Sequence, residues 1–426
     1  MECRIRRRLR HELSNLAFFP SVQILPRWRS TSTRHFRLVC NQQDRSGSQD
    51  DKPRSQPQRS SPGNLISEED WLVRSRIRRS PDIAANTKIV VCGGGSFGTA
   101  MANLLARNGY PVSLLVRKPW VRDEINLEHR NPKYLSEYLL PHNLTATVDR
   151  EEAFRDAKLC VHAIPVQATR EFLLSIRDTF PDRLPILCTS KGLEISSLSL
   201  MCELLPRMLG TDRKYAYLSG PSFAAEIIQG LPTAVVVASS DRIFANSLAD
   251  MFSSASFKVF TSTDTVGLEV AGAIKNVIAI AAGMSDGLGL GTNSMAALVT
   301  RGCSEMRRIA IAQGASPVTL AGLSGVGDTF LTCFGPLSRN RTVGVRLGKG
   351  EKLEDILSTS RQIAEGVATA KALVRWLGDE EEDSSIAIRA SLKYPILYGV
   401  AAILDGKMTP REGLNMLLAM PPRPED

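Results

Sequence analysis

The sequence predicts an α/β fold: a doubly wound parallel-sheet domain over residues 86–263, followed by an all-helical domain over residues 264–426. Three observations carry this reading. A β-branched apolar run, Thr87–Cys92, leads straight into the glycine-rich stretch Gly93–Gly98 and then into a helical pattern. Further short apolar runs follow at spacings that suit strands alternating with crossover helices. From Asp264 onward the periodicity is helical almost to the end. A chain of 426 residues, 43% of them apolar, has room for two or three domains, and its composition excludes a disordered or fibrous protein.

Residues 1–80 hold 17 Lys+Arg and 8 Asp+Glu, whereas residues 81–426 hold 36 of each. The whole formal charge of +9 therefore sits in the leader, and the body lacks the basic footprint of a nucleic-acid binder. Residues 1–43 contain nine Arg, a Ser/Thr cluster at Ser30–Thr33, and only Glu2 and Glu12 as acids. That is the composition of an organellar transit peptide, although a basic arm for an acidic partner has it too. Residues 44–66, rich in Ser, Gln, Pro and Asp, read as a flexible linker. Composition does not choose between chloroplast and mitochondrion.

Eight cysteines occur, none as CxxC and several inside apolar runs, which reads as buried free thiols in a reducing compartment. Past the leader the histidines are His129, His142 and His162, with no Cys/His spacing that suggests a metal site, so none is expected. No membrane span is expected either. The most apolar helical stretch, Val270–Met284, is interrupted by Lys275.

The first strand and its GxGxxG sequence carry the first functional signal. Gly93 permits a tight turn, Gly95 lets the backbone approach a pyrophosphate, and Gly98 lets helix and strand pack closely. The following helix would offer free N–H groups and a positive dipole end to phosphate, and it stops near Asn108-Gly109. This strand–turn–helix setting makes the segment a dinucleotide site of Rossmann type; the bland alternative is a structural turn. A second strand, Val112–Val116, ends at Arg117 where NAD-binding chains often place an acid. Arg117 could accept the 2′-phosphate of NADP or stack beside the adenine, so cofactor choice stays open between NAD and NADP. Further strands are expected at Leu159–Ile164, Ile186–Thr189, Tyr215–Leu218, Thr233–Ala238 and Lys258–Thr261, with a polar helical stretch from Val148 to Ala157. A substrate would lie in the cleft between the sheet domain and the helices.

The chemistry-bearing residues fall in four segments. Lys275 and Asn276 lie in Glu269–Gly283, a helix made of small and apolar residues. A buried Lys is costly as a cation, and its pKa can be drawn toward neutrality for proton transfer; the alternative is a Lys that snorkels out or pairs with Glu269. Lys191, in Thr189–Glu194, follows a strand at the ligand-binding rim of the sheet, or is an exposed loop residue. Ser219–Glu226 is a second strand-to-helix turn, where Gly220, Ser222 and Ala224 could meet ligand or Ser222 could cap the helix. Asp328, after a glycine-rich run, could orient a catalytic Lys or a substrate hydroxyl, or cap a helix. The Ser338-Arg339-Asn340-Arg341 cluster could clamp a phosphate, although spacing alone favours a solvated basic face.

Taken together, GGGSFGTA, NPKYL, TSKGLE, SGPSFAAE, GAIKNVIAIAAGMSDGLGLG, ALVTRG, GLSGVGD, LSRNR and the later Glu365-Gly366 resemble the NAD(P)-dependent glycerol-3-phosphate dehydrogenase family of bacterial type. The match runs over about residues 86–375, and the resemblance taken together with the leader implies a plastid member of that family. The resemblance implies a Rossmann domain, a helical substrate domain, homodimers, and interconversion of dihydroxyacetone phosphate and sn-glycerol 3-phosphate with NAD or NADP. It implies that Lys275 donates and accepts the reacting proton and that Lys191 touches both substrate and nicotinamide. It places Gly220, Ser222, Asn276, Asp328, Ser338, Arg339 and Asn340 at the substrate. Gly93, Gly95, Ser96, Phe97, Gly98, Arg117, Ala224, Ile363 and Glu365 fall at the cofactor, with Arg339 near it as well. The same resemblance reverses the bland reading of the Arg339 cluster.

Phe97 stands where Trp or Tyr is more usual, Val166 where Ser is common, and Thr292 where an acid is frequent. The acidic insert Asp379–Asp383 reads as a solvated loop. Two rivals remain: a β-hydroxyacid or 6-phosphogluconate-like dehydrogenase, and a nucleotide sensor without catalysis. The first is opposed by Asp328 with the Arg339 cluster, the second by the presence of Lys191, Lys275, Asn276, Asp328 and Arg339. Resemblance and leader together imply the plastid stroma and a supply of glycerol 3-phosphate for glycerolipid synthesis.

Overall fold

A computed structural model of the chain describes residues 84–360, 364–378 and 391–421. The leader 1–80, Ile363 and the acidic insert 379–383 lie outside the described residues.

Eight strands form one sheet in the order β3-β2-β1-β4-β5-β6-β7-β8. They are β1 Ile89–Cys92, β2 Val112–Leu115, β3 Leu144–Thr147, β4 Leu159–His162, β5 Ile186–Cys188, β6 Tyr215–Ser219, β7 Thr233–Ala238 and β8 Phe257–Ser262. Every pairing is parallel except β6 with β7. Helices on both faces bury the sheet, so β1, β2 and β4 are apolar-rich runs buried at every position and do not alternate in and out. The chain order reverses between β1 and β4, the kind of switch point beside which open α/β sheets bind ligands at the carboxyl ends of their strands. Helix α1, Ser96–Arg107, follows β1 and stops at Asn108, with Gly109 at φ +95°.

Two features of the sheet go beyond the sequence reading. β3 is an additional edge strand, paired with β2 through Val112 opposite Leu144. The other is β7, which runs antiparallel to β6 and is joined to it through the short helix Ala224–Gln229. The polar stretch after β3 forms a brief helix, Arg150–Phe154, capped by Asp149, which accepts from the Glu152 N–H at 3.1 Å.

Helices connect the strands and follow the last of them. After α1 come α2 Pro119–Glu128, α3 Arg150–Phe154, α4 Val166–Ile176, α5 Met201–Leu209, α6 Ala224–Gln229 and α7 Arg242–Phe252. Then follow α8 Thr265–Gly287, α9 Gly291–Ala312, α10 Pro317–Ala321, α11 Asp328–Phe334, α12 Arg339–Gly348, α13 Leu353–Thr359, α14 Glu365–Trp376 and α15 Pro395–Leu404. The central α8 is long and apolar enough to cross a membrane by length and composition, but 94% of its apolar window is buried inside the fold. Asp264 starts it, accepting from the Gly267 N–H at 2.8 Å and tying in α10 through Ser316 N–H at 2.9 Å and the Thr319 hydroxyl at 2.7 Å.

α12 lies against α8 at glycine contacts. A Cβ on Gly344 would fall 2.1 Å from the Ile280 carbonyl oxygen, and one on Gly283 would fall 2.1 Å from that of Arg341. Gly287 and Gly348, one turn further, meet the same obstruction. Between α10 and α11 a π-turn spans Leu323–Gly327, with Gly327 N–H donating to Gly322 O at 3.1 Å. Such wide turns recur at functional sites; this one ends on Asp328.

Candidate active site

The nucleotide end is built from the loop after β1. Gly93 has φ +115°, and a Cβ there would meet the Ala163 carbonyl oxygen, at the end of β4, at 2.6 Å. Gly98 comes so close to Gly93 that its Cβ would fall 1.9 Å from the Gly93 oxygen, so only glycine fits. A Cβ on Gly95 would meet nothing within 4 Å, which leaves its backbone open to approach. The first turn of α1 has neither a side-chain cap nor an acidic residue, so its positive end is available to an anion. Ser96, Phe97 and Gly98 lie in that turn, and Arg117 is exposed just beyond β2.

A buried ionic cluster is built from three segments far apart in sequence. Lys275 reaches from the middle of α8 to Asp328 at the start of α11, with Nζ 2.5 Å from Oδ1. Lys191, from the loop after β5, reaches the other oxygen of the same carboxylate at 2.7 Å. Lys275 also donates to the Thr332 hydroxyl at 3.0 Å, and Lys191 to the Gly220 carbonyl at 3.3 Å. The Ser219 hydroxyl and the Gly220 N–H each approach Asp328 at 3.4 Å.

Lys275 is 7% exposed and Asp328 is 1% exposed. Burial lowers the Lys275 pKa to about 8; Asp328 opposes the shift and Lys191 adds to it. Burial pushes the Asp328 carboxyl up, but Lys191 and Lys275 together hold it below its ordinary value. Two ammonium groups sharing one carboxylate leave a surplus positive charge in a poorly solvated place. That surplus suits an anionic substrate and an oxygen that becomes negative during reaction.

A second polar chain links the helices. Asn340 donates from Nδ2 to Asn276 Oδ1 at 2.9 Å and accepts the Gly366 N–H on Oδ1 at 2.9 Å. Only one Asn340 amide N–H is left for a ligand. The Ser338 hydroxyl caps α12, accepting from the Arg341 N–H at 3.2 Å. Arg339 begins α12 and is exposed, and Glu365 begins α14. Burial raises the Glu365 carboxyl, opposed chiefly by Arg339 and by a hydrogen bond from the Val166 backbone. Ser222 does not cap α6; its hydroxyl donates to the Gly220 carbonyl at 2.8 Å, and Ala224 is the first residue of that helix. Lys275 does not pair with Glu269, which accepts from the Cys202 N–H at 2.7 Å instead.

Comparison with known proteins decides what this arrangement belongs to. Residues 88–245 match the family model for the NAD-dependent glycerol-3-phosphate dehydrogenase N-terminus, and residues 264–415 the model for its C-terminus. The chain belongs to the NAD(P)-dependent glycerol-3-phosphate dehydrogenase family. A chloroplastic NAD(+) glycerol-3-phosphate dehydrogenase of Arabidopsis thaliana is 48% identical over 355 residues, 82% of each chain. A glycerol-3-phosphate dehydrogenase (NAD(P)+) of Nitratidesulfovibrio vulgaris is 43% identical, covering 79% of this chain and all of its own. The crystal structure of the Coxiella burnetii enzyme superposes with a TM-score of 0.72 at 33% identity, over 79% of this chain and all of that one.

As a member of this NAD(P)-dependent dehydrogenase family, the chain must seat a dinucleotide, and the glycine loop fits one. Gly95 leaves open backbone, Gly93 and Gly98 hold the turn, and the uncapped first turn of α1 carries no acid. Sequence reasoning missed three groups that the site uses. Thr332 lies one turn after Asp328 in α11, and that i+4 spacing was the only signal. Ser219 ends β6 against Asp328, and Asn131 of NPKYL enters the glycine loop.

Proposed function

We propose that the protein reduces dihydroxyacetone phosphate to sn-glycerol 3-phosphate, reversibly, at the Lys191–Asp328–Lys275 cluster. The observation that carries this is the pair of lysines on one buried carboxylate, 2.7 and 2.5 Å away. When bound, the reduced nicotinamide supplies the hydride to C2 of the substrate. Lys275 holds at Nζ the proton that the carbonyl oxygen needs as it becomes an alkoxide, and takes it back in the reverse direction. Asp328 fixes both ammonium groups and so sets where positive charge meets that oxygen. Lys191 adds the second positive charge beside the Gly220 turn. Arg339, with the remaining N–H of Asn340, clamps the phosphate, so binding far from the reacting atom fixes its placement.

The deciding experiment mixes purified protein with dihydroxyacetone phosphate and NADH, then NADPH, and follows cofactor oxidation. Consumption is expected, and its absence with both cofactors overturns the reading. A preference for NADPH would show that Arg117 reads the 2′-phosphate.

The biological setting belongs to the same proposal: a plastid stromal enzyme supplying glycerol 3-phosphate for glycerolipid synthesis. It is supported by the Arg- and Ser-rich, acid-poor leader and by similarity to the chloroplastic Arabidopsis enzyme. A homodimer is the expected assembly, as the family resemblance implies.

A further inference from the structure

The NPKYL sequence takes no part in the mechanism above, yet its first residue is among the best-held side chains in the molecule. Asn131 is 0% exposed. Its Nδ2 donates to the Gly94 carbonyl at 3.1 Å and to the Thr99 hydroxyl at 2.8 Å. Its Oδ1 accepts from the Lys133 N–H at 3.1 Å and the Tyr134 N–H at 3.2 Å. Both donors and both acceptor sites of the amide are thus used. The strap that carries Asn131 is pinned at its ends. Leu140 N–H donates to the His129 carbonyl at 2.8 Å, and the His129 and His142 rings meet at 2.8 Å between Nε2 and Nδ1.

Gly94 is the middle glycine of the run that precedes α1, and Thr99 lies within the first turns of that helix. A trans peptide points its C=O and the following N–H in opposite directions. Holding the Gly94 oxygen on Asn131 therefore turns the Gly95 N–H away from the strap. It also keeps the negative end of that carbonyl out of a space meant for an anion. The contact with Thr99 ties the same amide to the helix whose positive end faces the pyrophosphate. Without Asn131 the Gly94 peptide would be free to rotate, because glycine populates many backbone conformations.

We propose that Asn131 is a positioning residue for dinucleotide binding, orienting the Gly94–Gly95 peptide and coupling it to α1. The proposal rests on the dinucleotide reading of Gly93–Gly98, so wild-type protein must first be shown to bind NADH. If wild type fails to bind, that reading fails; the comparison of variant with wild type tests only the role of Asn131.

The test measures the Kd of NADH by fluorescence titration and that of ADP-ribose, which carries the pyrophosphate without nicotinamide, by calorimetry. For Asn131→Ala both Kd values should rise by about tenfold or more, one hydrogen-bonding group's worth of affinity. KM for dihydroxyacetone phosphate at saturating NADH should change by less than about twofold. A merely structural Asn131 would lower the thermal midpoint and leave the Kd values of the folded protein within about twofold of wild type, and that result overturns the proposal. If Asn131→Ala does not fold, Thr99→Val removes the hydroxyl partner alone. It should weaken NADH and ADP-ribose by about threefold, and unchanged Kd values would then overturn the proposal.

Discussion

In the proposed mechanism Lys275 serves as both acid and base, a role that its conflicting surroundings suit. Burial draws its pKa to about 8, while Asp328 at 2.5 Å pulls the other way. A proton donor must begin protonated, so the rate of carbonyl reduction should fall as pH rises through about 8. Alcohol oxidation needs the neutral amine and should rise through the same region. Initial rates in both directions across pH test this, and profiles that bend the same way would remove Lys275 from proton transfer. Lys275→Ala should lower kcat by about 10²–10⁴-fold while NADH still binds, as seen by fluorescence titration. Arg339→Ala should raise KM for dihydroxyacetone phosphate by the about 1.5–3 kcal/mol of a charged hydrogen bond, far more than it weakens NADH binding. An unchanged KM would take Arg339 out of the phosphate clamp. At this scale the sequence was informative about single residues and silent about their partners. A lysine in an apolar helix, and another just past a strand, stand out by themselves. That both end on Asp328, 53 and 137 residues away, is a property of the tertiary fold. Ser338 was legible as a member of a polar cluster but not as the cap of α12.

At the scale of elements, α8 and α12 decide whether the residues meet. Lys275 and Asn276 ride on α8, Arg339 and Asn340 on α12, and the two helices touch through Gly283, Gly287, Gly344 and Gly348. The obstruction a side chain would meet there is backbone, which cannot step aside. Gly344→Ala should therefore cost about 1–3 kcal/mol in urea unfolding and also raise KM for the substrate, since α12 must move off α8. A variant as stable as wild type would show that the helices tolerate more space than the contact allows. A second element-level device is Glu305 on α9. It accepts the Ile396 and Leu397 N–H groups at 3.0 and 3.1 Å and so caps α15 from a neighbouring helix. Burial raises its pKa to about 7, above an ordinary carboxyl. In the interval between the ordinary value and about 7 the unfolded chain is ionised and the folded one is protonated, so stability is lost as pH rises through it. Glu305→Gln does not titrate. Its unfolding midpoint relative to wild type should therefore climb from about pH 5 to pH 8, and a constant difference would show that Glu305 is not shifted. The strands with long β-branched runs were legible from pattern alone. β3 was not, because Leu144-Thr-Ala-Thr147 is four residues long with one buried large side chain and earns its place only by pairing with β2. The glycines of α8 and α12 looked like breaks in two helices, and only their pairing shows them to be a contact.

For the molecule as a whole, charge and core are segregated along the chain. Residues 81–426 balance 36 basic against 36 acidic residues, and residues 1–80 carry the entire +9. The described body places two apolar cores on the faces of the sheet and a third around α8, with buried free thiols at Cys92, Cys160, Cys188 and Cys333. The doubly wound plan was legible because parallel strands buried on both faces leave a strong apolar signal at each crossover interval. The antiparallel direction of β7 was not, since an apolar strand pattern carries no direction along the chain. The segregation of charge has a consequence that can be measured in cells. If the basic, acid-poor leader is an address, residues 1–80 fused to a fluorescent reporter should send it to the plastid stroma, and the chain from residue 81 onward should stay in the cytosol while keeping full dehydrogenase activity. Delivery to mitochondria would keep the enzymology and move the glycerolipid role to another compartment. A leader-free chain without activity would show that residues 1–80 contribute to the catalytic body, which its balanced charge and its own three cores argue against.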